Sequence, residues 1–239
     1  MKKKTSVIVL LMFVAFTAFP AFSQAQMLAS KGNDSGVMTK DSQAKLTPDA
    51  VLEDLMEGNK RFTANRPDKI DMPAQVKATS KGQYPKAVIL SCIDSRVPVE
   101  MLFDQGIGDV FVARVAGNTE DESILGSMEY ATAVAGSKLV MVLGHEACGA
   151  VKSAIDEFEA GDNVAHLLGT IEPAIDKVKG DRDSSNKEYV EEVIKVNVQE
   201  TIDDIRERSP IIAGLEKEGK IKIVGAYYDL HTGAVSLVD

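Results

Sequence analysis

The sequence predicts an α/β fold: a single domain on a central, mostly parallel β-sheet of four strands plus an antiparallel edge strand, flanked by helices. Three observations carry this. Short continuous apolar runs recur at Ala87-Val88-Ile89-Leu90, Val110-Phe111-Val112-Ala113, Leu139-Val140-Met141-Val142-Leu143 and 221–224, the last broken only by Lys222. Such runs mark strands covered on both faces, as in a parallel sheet. Stretches with helical spacing separate them, and His231-Thr232-Gly233 forms a turn that sends the last strand back antiparallel.

Taken in order, the chain opens with the basic Met1-Lys2-Lys3-Lys4, an apolar run from Val7 to Phe22, and Ser23-Gln24-Ala25 with its small residues where a signal peptidase reads. This pattern predicts a secretory signal peptide over 1–25, cleaved after Ala25, and a periplasmic or secreted protein with no membrane attachment afterwards. An uncleaved anchor is the alternative, but the run meets Pro20 before reaching the about 20 apolar residues of a comfortable span. Residues 26–46 are polar, small and aperiodic, and read as a flexible lead-in to a domain over 47–239. Thr47-Pro48-Asp49 starts a helix that runs to about residue 65, with a capping hydroxyl, proline in the first turn and then an acid. Pro67 and Pro73 then punctuate a loop. Further helices are expected over 119–135, 147–160, 162–179 and 187–207. The last shows an apolar stripe of Val190, Ile194, Val198 and Ile202.

Composition excludes several classes. With 44% hydrophobic and 26% charged residues, the chain of 239 is an ordinary globule and not a disordered one. Its 27 basic and 36 acidic residues give a charge of -9. Loss of residues 1–25 removes three lysines, so 24 basic residues face 36 acidic ones and the charge becomes -12. No nucleic-acid partner is expected of so acidic a chain. Two cysteines are too few for a disulfide scaffold.

Chemistry gathers at the carboxyl ends of strands in such sheets. The first strand delivers Cys92-Ile93-Asp94-Ser95-Arg96 and the third His145-Glu146-Ala147-Cys148-Gly149. Two soft thiolates and one imidazole suit Zn²⁺, and three protein ligands leave a fourth position open, as in catalytic zinc sites. Alternatively Cys92 and Cys148 could close a disulfide in an exported protein, although the neighbouring histidine has no part in that. Asp94 and Arg96 can meet as an ion pair beside the metal. Asp94 is then either a partner accepting a hydrogen bond from the reacting species or a fourth ligand that shuts the site. His145-Glu146 fails as a metalloprotease helix because position 149 is Gly, and Gly106-Ile107-Gly108 lacks a third glycine and reads as a turn. His166 and His231 read as surface or turn residues.

Cys92-x-Asp94-x-Arg96 followed by His145-x-x-Cys148-Gly149 resembles the signature of the β-class carbonic anhydrases. The likeness covers most of 47–239, including Gly58-Asn59-x-Arg61-Phe62, Gly108-Asp109-Val110-Phe111-Val112 and Arg114-x-Ala116-Gly117-Asn118. It implies one Zn²⁺ per chain on Cys92, His145 and Cys148, and Asp94 with Arg96 as a catalytic dyad. The implied reaction is reversible hydration of CO₂ to bicarbonate and a proton by zinc-bound hydroxide, in a homodimer or larger homo-oligomer. Gln83 matches a glutamine that, in the plant-like branch, reaches across a dimer interface to substrate. Phe111, Ala116 and Tyr130 fall where that branch builds its CO₂ pocket, and the Gly149 amide resembles its substrate contact. Val115 stands where the family often has asparagine. Two alternatives remain open: a carbonyl sulfide or carbon disulfide hydrolase with the same ligands, and a metal-free disulfide-bonded binding protein.

Overall fold

Four of the five strands pair in parallel, and the alternation of their side chains explains why their sequences are apolar throughout. The computed structural model describes residues 36–159 and 161–238, so the predicted signal peptide lies outside the described residues. The strands are β1 (Ala87–Ser91), β2 (Val110–Arg114), β3 (Leu139–His145), β4 (Lys222–Tyr228) and β5 (Val235–Val238), ordered β2-β1-β3-β4-β5. Only β4 and β5 are antiparallel, as the sequence predicts. Odd-numbered residues such as Ala87, Ile89, Leu139, Met141 and Leu143 bury one face. They pack against two helices, α2 (Pro48–Thr63) through Val51 and Leu55, and α4 (Val99–Leu102). Even-numbered residues, Val88, Leu90, Val140 and Val142, bury the opposite face. That layer contains α5 (Glu122–Glu129), α9 (Lys187–Arg208) and α10 (Pro210–Lys217). Each fully buried Val, Leu or Ile contributes about 1.5–3 kcal/mol relative to exposure, so neither face tolerates a polar alternation.

Helix α2 is fixed to the sheet's end by its last turns. Asn59 donates to the carbonyls of Leu102 (3.1 Å) and Gly233 (2.9 Å) and accepts from the Val235 amide (2.9 Å). Arg61 pairs with the buried Asp104. The helix approaches so closely that a Cβ on Gly58 would stand 1.9 Å from the Phe103 carbonyl oxygen. Backbone would have to move to admit it. Gly58→Ala is therefore expected to cost about 2–3 kcal/mol, measured as a lower denaturation midpoint with an unchanged m-value.

Several elements differ from the sequence-based expectation. Within the predicted lead-in, Val37 and Met38 are buried and α1 (Lys40–Ala44) is capped by a reciprocal Thr39–Ser42 pair. Gln43 donates from α1 to the carbonyls of Pro85 and Ala135, so the described residues 36–46 are packed on the domain. The loop expected after Pro67 contains α3 (Met72–Thr79), because Asp71 caps it and Pro73 sits in the first turn, where a missing N–H costs nothing. The helix expected over 119–135 is α5, continued by a π turn at Tyr130–Val134. That expected over 147–160 is the shorter α6 (Gly149–Ile155). That expected over 162–179 breaks into α7 (Asp162–Gly169) and α8 (Glu172–Lys177), because Pro173 has no N–H to offer the Gly169 carbonyl one turn back and its ring crowds that carbonyl.

The order of the strands decides where a site can form. From β1 the chain passes outward to β2, then returns across β1 to form β3 on its other side. The loops leaving β1 and β3 thus separate at a topological switch point and leave a crevice at the carboxyl ends of the strands.

Candidate metal centre

Cys92 follows the last residue of β1 and His145 ends β3. Because Ser91 lies opposite Leu143, the two side chains emerge at nearly the same level on adjacent strands. Cys148 reaches them through a tight turn. Ala147 holds a left-handed backbone (φ 50°) that brings the chain back, so that Cys148 caps the N-terminus of α6. The Glu146 amide donates to Tyr228 in β4 and anchors the turn's start (2.9 Å).

Cys92, His145 and Cys148 are all buried, and their donor atoms lie within 4.8 Å of one another. The two sulfurs are 4.0 Å apart, about twice the length of an S–S bond, and both cysteines are free. His145 Nδ1 lies 2.9 Å from the Glu146 carbonyl, which favours the tautomer with a proton on Nδ1 and a lone pair on Nε2. Nε2 is buried without a hydrogen-bond partner. Two thiols converging on a bare imidazole nitrogen fit a soft divalent metal, and the set fits zinc.

The two thiols differ in the apo pair. Cys92 is pushed down to about 4, first by the hydrogen bond from Cys148, against the cost of burial, and then by His145 and the Gly117 amide. Cys148 is pushed up by that same neighbour and by its own burial. A divalent cation removes the conflict by favouring both thiolates.

Asp94 and Arg96 form the expected pair at the mouth of the centre. Asp94 Oδ1 accepts from Arg96 Nε (2.9 Å) and from the Arg96 amide (2.9 Å), and Oδ2 accepts from Nη2 (2.7 Å). This fork, chiefly the Arg96 side chain, brings the carboxyl down to about 2. Oδ2 also lies 3.9 Å from His145 Nε2, on the open side of the donor set.

Arg114 was not anticipated as a site residue. At the end of β2 it donates to the carbonyls of Cys92 (2.9 Å) and Asp94 (2.6 Å), pinning the loop that carries both. Glu146, Asp229 and His231 also bring potential ligand atoms together. There, however, Glu146 Oε2 already accepts from the Leu230 amide and from His231 Nδ1, so these residues tie the metal loop to the β4–β5 turn.

The other residues singled out by resemblance lie elsewhere. Phe111 sits opposite Val88, four residues before Cys92 and so about 13 Å down the strand, and packs edge-to-face on Tyr130 at 6.4 Å. Tyr130 is 55% exposed. Gln83 is exposed on the loop into β1, Ala116 is half-buried in the turn after β2, and Gly149 is exposed at the first position of α6. Within one chain, then, the metal donors and the Asp94–Arg96 pair come together, whereas Gln83 lies ahead of β1 and Phe111 packs with Tyr130 on the even-residue face of the sheet.

A family model described as carbonic anhydrase matches residues 87–235, which hold every residue of the donor set and the pair beside it. The chain belongs to the β-carbonic anhydrase family. It is 39% identical over 197 residues to carbonic anhydrase 2 of Mycobacterium tuberculosis, covering 80% of this chain and 93% of that one. It is 40% identical over 195 residues to a carbonic anhydrase of Mycolicibacterium smegmatis, with the same coverage. Among solved structures, a tetrameric β-carbonic anhydrase of Sordaria macrospora superposes with a TM-score of 0.60 at 23% identity, covering 78% of this chain and 93% of that one. The Coccomyxa β-carbonic anhydrase in complex with acetazolamide gives 0.61 at 24% identity, covering 78% and 86%. The likeness to these structures is one of fold; the β-carbonic anhydrase sequence relationship rests on the bacterial relatives.

Proposed function

We propose that this chain catalyses the reversible hydration of CO₂ to bicarbonate and a proton with one zinc ion held by Cys92, His145 and Cys148. The observation that carries this is the buried trio itself, whose histidine presents an unpartnered Nε2 between two free thiols. Zinc there supplies Lewis acidity, which makes a nucleophile of water at neutral pH. Asp94, kept ionised by Arg96, would accept a hydrogen bond from that water and so turn its lone pair towards the carbon. Forked onto Arg96, Asp94 is held in the orienting role; to act as a fourth ligand it would have to leave that fork. The exposed Gly149 amide at the start of α6 is free to donate to a substrate oxygen.

The apolar pocket needs a second copy. Edge strand β2 is only half-buried, and Tyr130 and Val134 beside it are 55% and 70% exposed, an apolar edge of the kind that proteins cover. A homodimer, alone or within a larger homo-oligomer, places Gln83, Phe111 and Tyr130 of one chain at the other's metal centre. We expect sedimentation velocity to show at least a dimer, and Val134→Asp to yield monomers whose kcat/KM falls tenfold or more, by an order-of-magnitude estimate for lost positioning. An active monomer overturns the role of Gln83.

The signal-like N-terminus supports a location in the periplasm or outside the cell. Sequencing the mature N-terminus tests cleavage after Ala25. Stopped-flow CO₂ hydration, run beside carbonyl sulfide hydrolysis on protein with a measured zinc content, tests the reaction. No hydration by a zinc-loaded sample overturns the proposal.

A further inference from the structure

The Cys92 sulfur accepts a hydrogen bond from the backbone N–H of Gly117, 3.4 Å away. This contact is not a local accident of the loop, because three independent features hold the Gly117 peptide in place. Gly117 has φ 77°, which a side chain disfavours and which turns its N–H towards the sulfur. A Cβ there would stand 2.8 Å from Ile171 Cδ1, so the turn is pressed against the segment before α8. Across the Gly117 Cα, in the next peptide group, the Gly117 carbonyl accepts from Asn197 Nδ2 at 2.8 Å.

Asn197 is the unusual member of this arrangement. It lies in the middle of α9, only 2% exposed, among the buried Val193, Ile194, Val198 and Thr201. An amide in such surroundings costs about 1–3 kcal/mol unless it is hydrogen-bonded, and its bond goes to the carbonyl of the residue whose own N–H meets the Cys92 sulfur. We infer that Asn197 is a positioning residue for the metal centre, holding Gly117 through its carbonyl so that the Gly117 N–H donates to the Cys92 sulfur. The inference rests on reading Cys92 as a metal ligand. An N–H donor at a thiolate draws electron density away from sulfur, so it moderates the charge that sulfur gives to the metal. It also orients the lone pair left for the metal. Outer partners of this kind change metal affinity by about 10–100-fold when removed.

The test uses full-length mature protein loaded with Co²⁺, whose sulfur-to-cobalt charge-transfer absorption reports directly on the thiolates. Asn197→Leu keeps volume and apolar contacts but removes the donor. It is expected to move the charge-transfer band to lower energy and to weaken cobalt binding about tenfold, measured by competition with a chromophoric chelator. Asn197→Ser provides a second variant, too short to span to Gly117 and with less bulk to accommodate, and the same shift is expected. Val193→Ala, on the same buried face but with no link to Gly117, controls for packing. It should lower stability and leave the band unmoved. If both Asn197 variants keep the parent's band and affinity while melting lower like Val193→Ala, Asn197 is merely a core residue and the inference is overturned. Absence of a thiolate band in the parent protein overturns the zinc-site reading instead.

Discussion

Cys148→Ser should leave a folded protein that neither retains zinc nor hydrates CO₂. Serine is close to cysteine in size, and position 148 is packed among Val151, Ile171 and Tyr189, so the side chain fits without a cavity. The chemistry does not survive the exchange. A serine hydroxyl stays protonated near neutrality and is a hard donor, where the site needs a second soft thiolate. The expected result is a zinc content near zero, against one per chain in the parent, and a fall in kcat/KM of at least about a thousandfold. Metal analysis of gel-filtered protein, with circular dichroism as the folding control, checks both. A variant that keeps stoichiometric zinc would remove Cys148 from the donor set.

Asp94→Asn is expected to separate what Cys148→Ser removes together. An asparagine oxygen can still accept from the Arg96 amide and Nε, so the loop keeps its shape. The negative charge facing the reacting water is lost. Zinc content should remain at one per chain while kcat falls on the order of a hundredfold or more, the usual scale for a positioned proton acceptor. The pH dependence follows from the sign of the Asp94 shift. Its carboxyl is brought down to about 2 by the Arg96 fork, below the ordinary value of about 3.9. The stabilising ion pair is therefore complete above the unfolded-state value and is lost only as pH falls through the folded one. Activity lost between neutrality and pH 5 must come from another group. The midpoint of that loss should be the same in Asp94→Asn and in the parent, as a pH–rate profile would show.

The sheet was legible in the sequence because burial on both faces keeps the middles of the parallel strands apolar, so each run announces itself. Helix ends were harder to read. Pro73 looks like a loop breaker until Asp71 is seen to cap a helix around it, and Pro173 looks tolerable within a long helix until the chain bends before it. The trio and the Asp94–Arg96 pair could be read because each sits in a short segment at a strand end, where spacing alone suggests chemistry. Arg114, Gly117 and Asn197 could not, since their contacts join segments 20 to 80 residues apart and leave no local pattern. One signal was available: Asn197 is a lone amide within the valine- and isoleucine-rich stripe of its helix, and a buried amide must find a partner. The candidate pocket residues lie apart within one chain, and under the proposed dimer a single sequence would carry both halves of the interface without saying which half serves which copy.

The crevice between β1 and β3 also sets the order of events as the chain matures. No local segment can assemble the full set of sulfur and nitrogen donors, because Cys92 comes from one strand and His145 from its neighbour; pairing of β1 with β3 is the step that creates the site. That pairing, with the helices packed over it, leaves Cys92 4% and Cys148 1% exposed. Folding and protection of the thiols from oxidants are thus coupled, and an ion captured there would lock the strand pair that formed its cradle. Were the chain exported as proposed, the decisive competition would be between completing this fold and meeting an oxidant first.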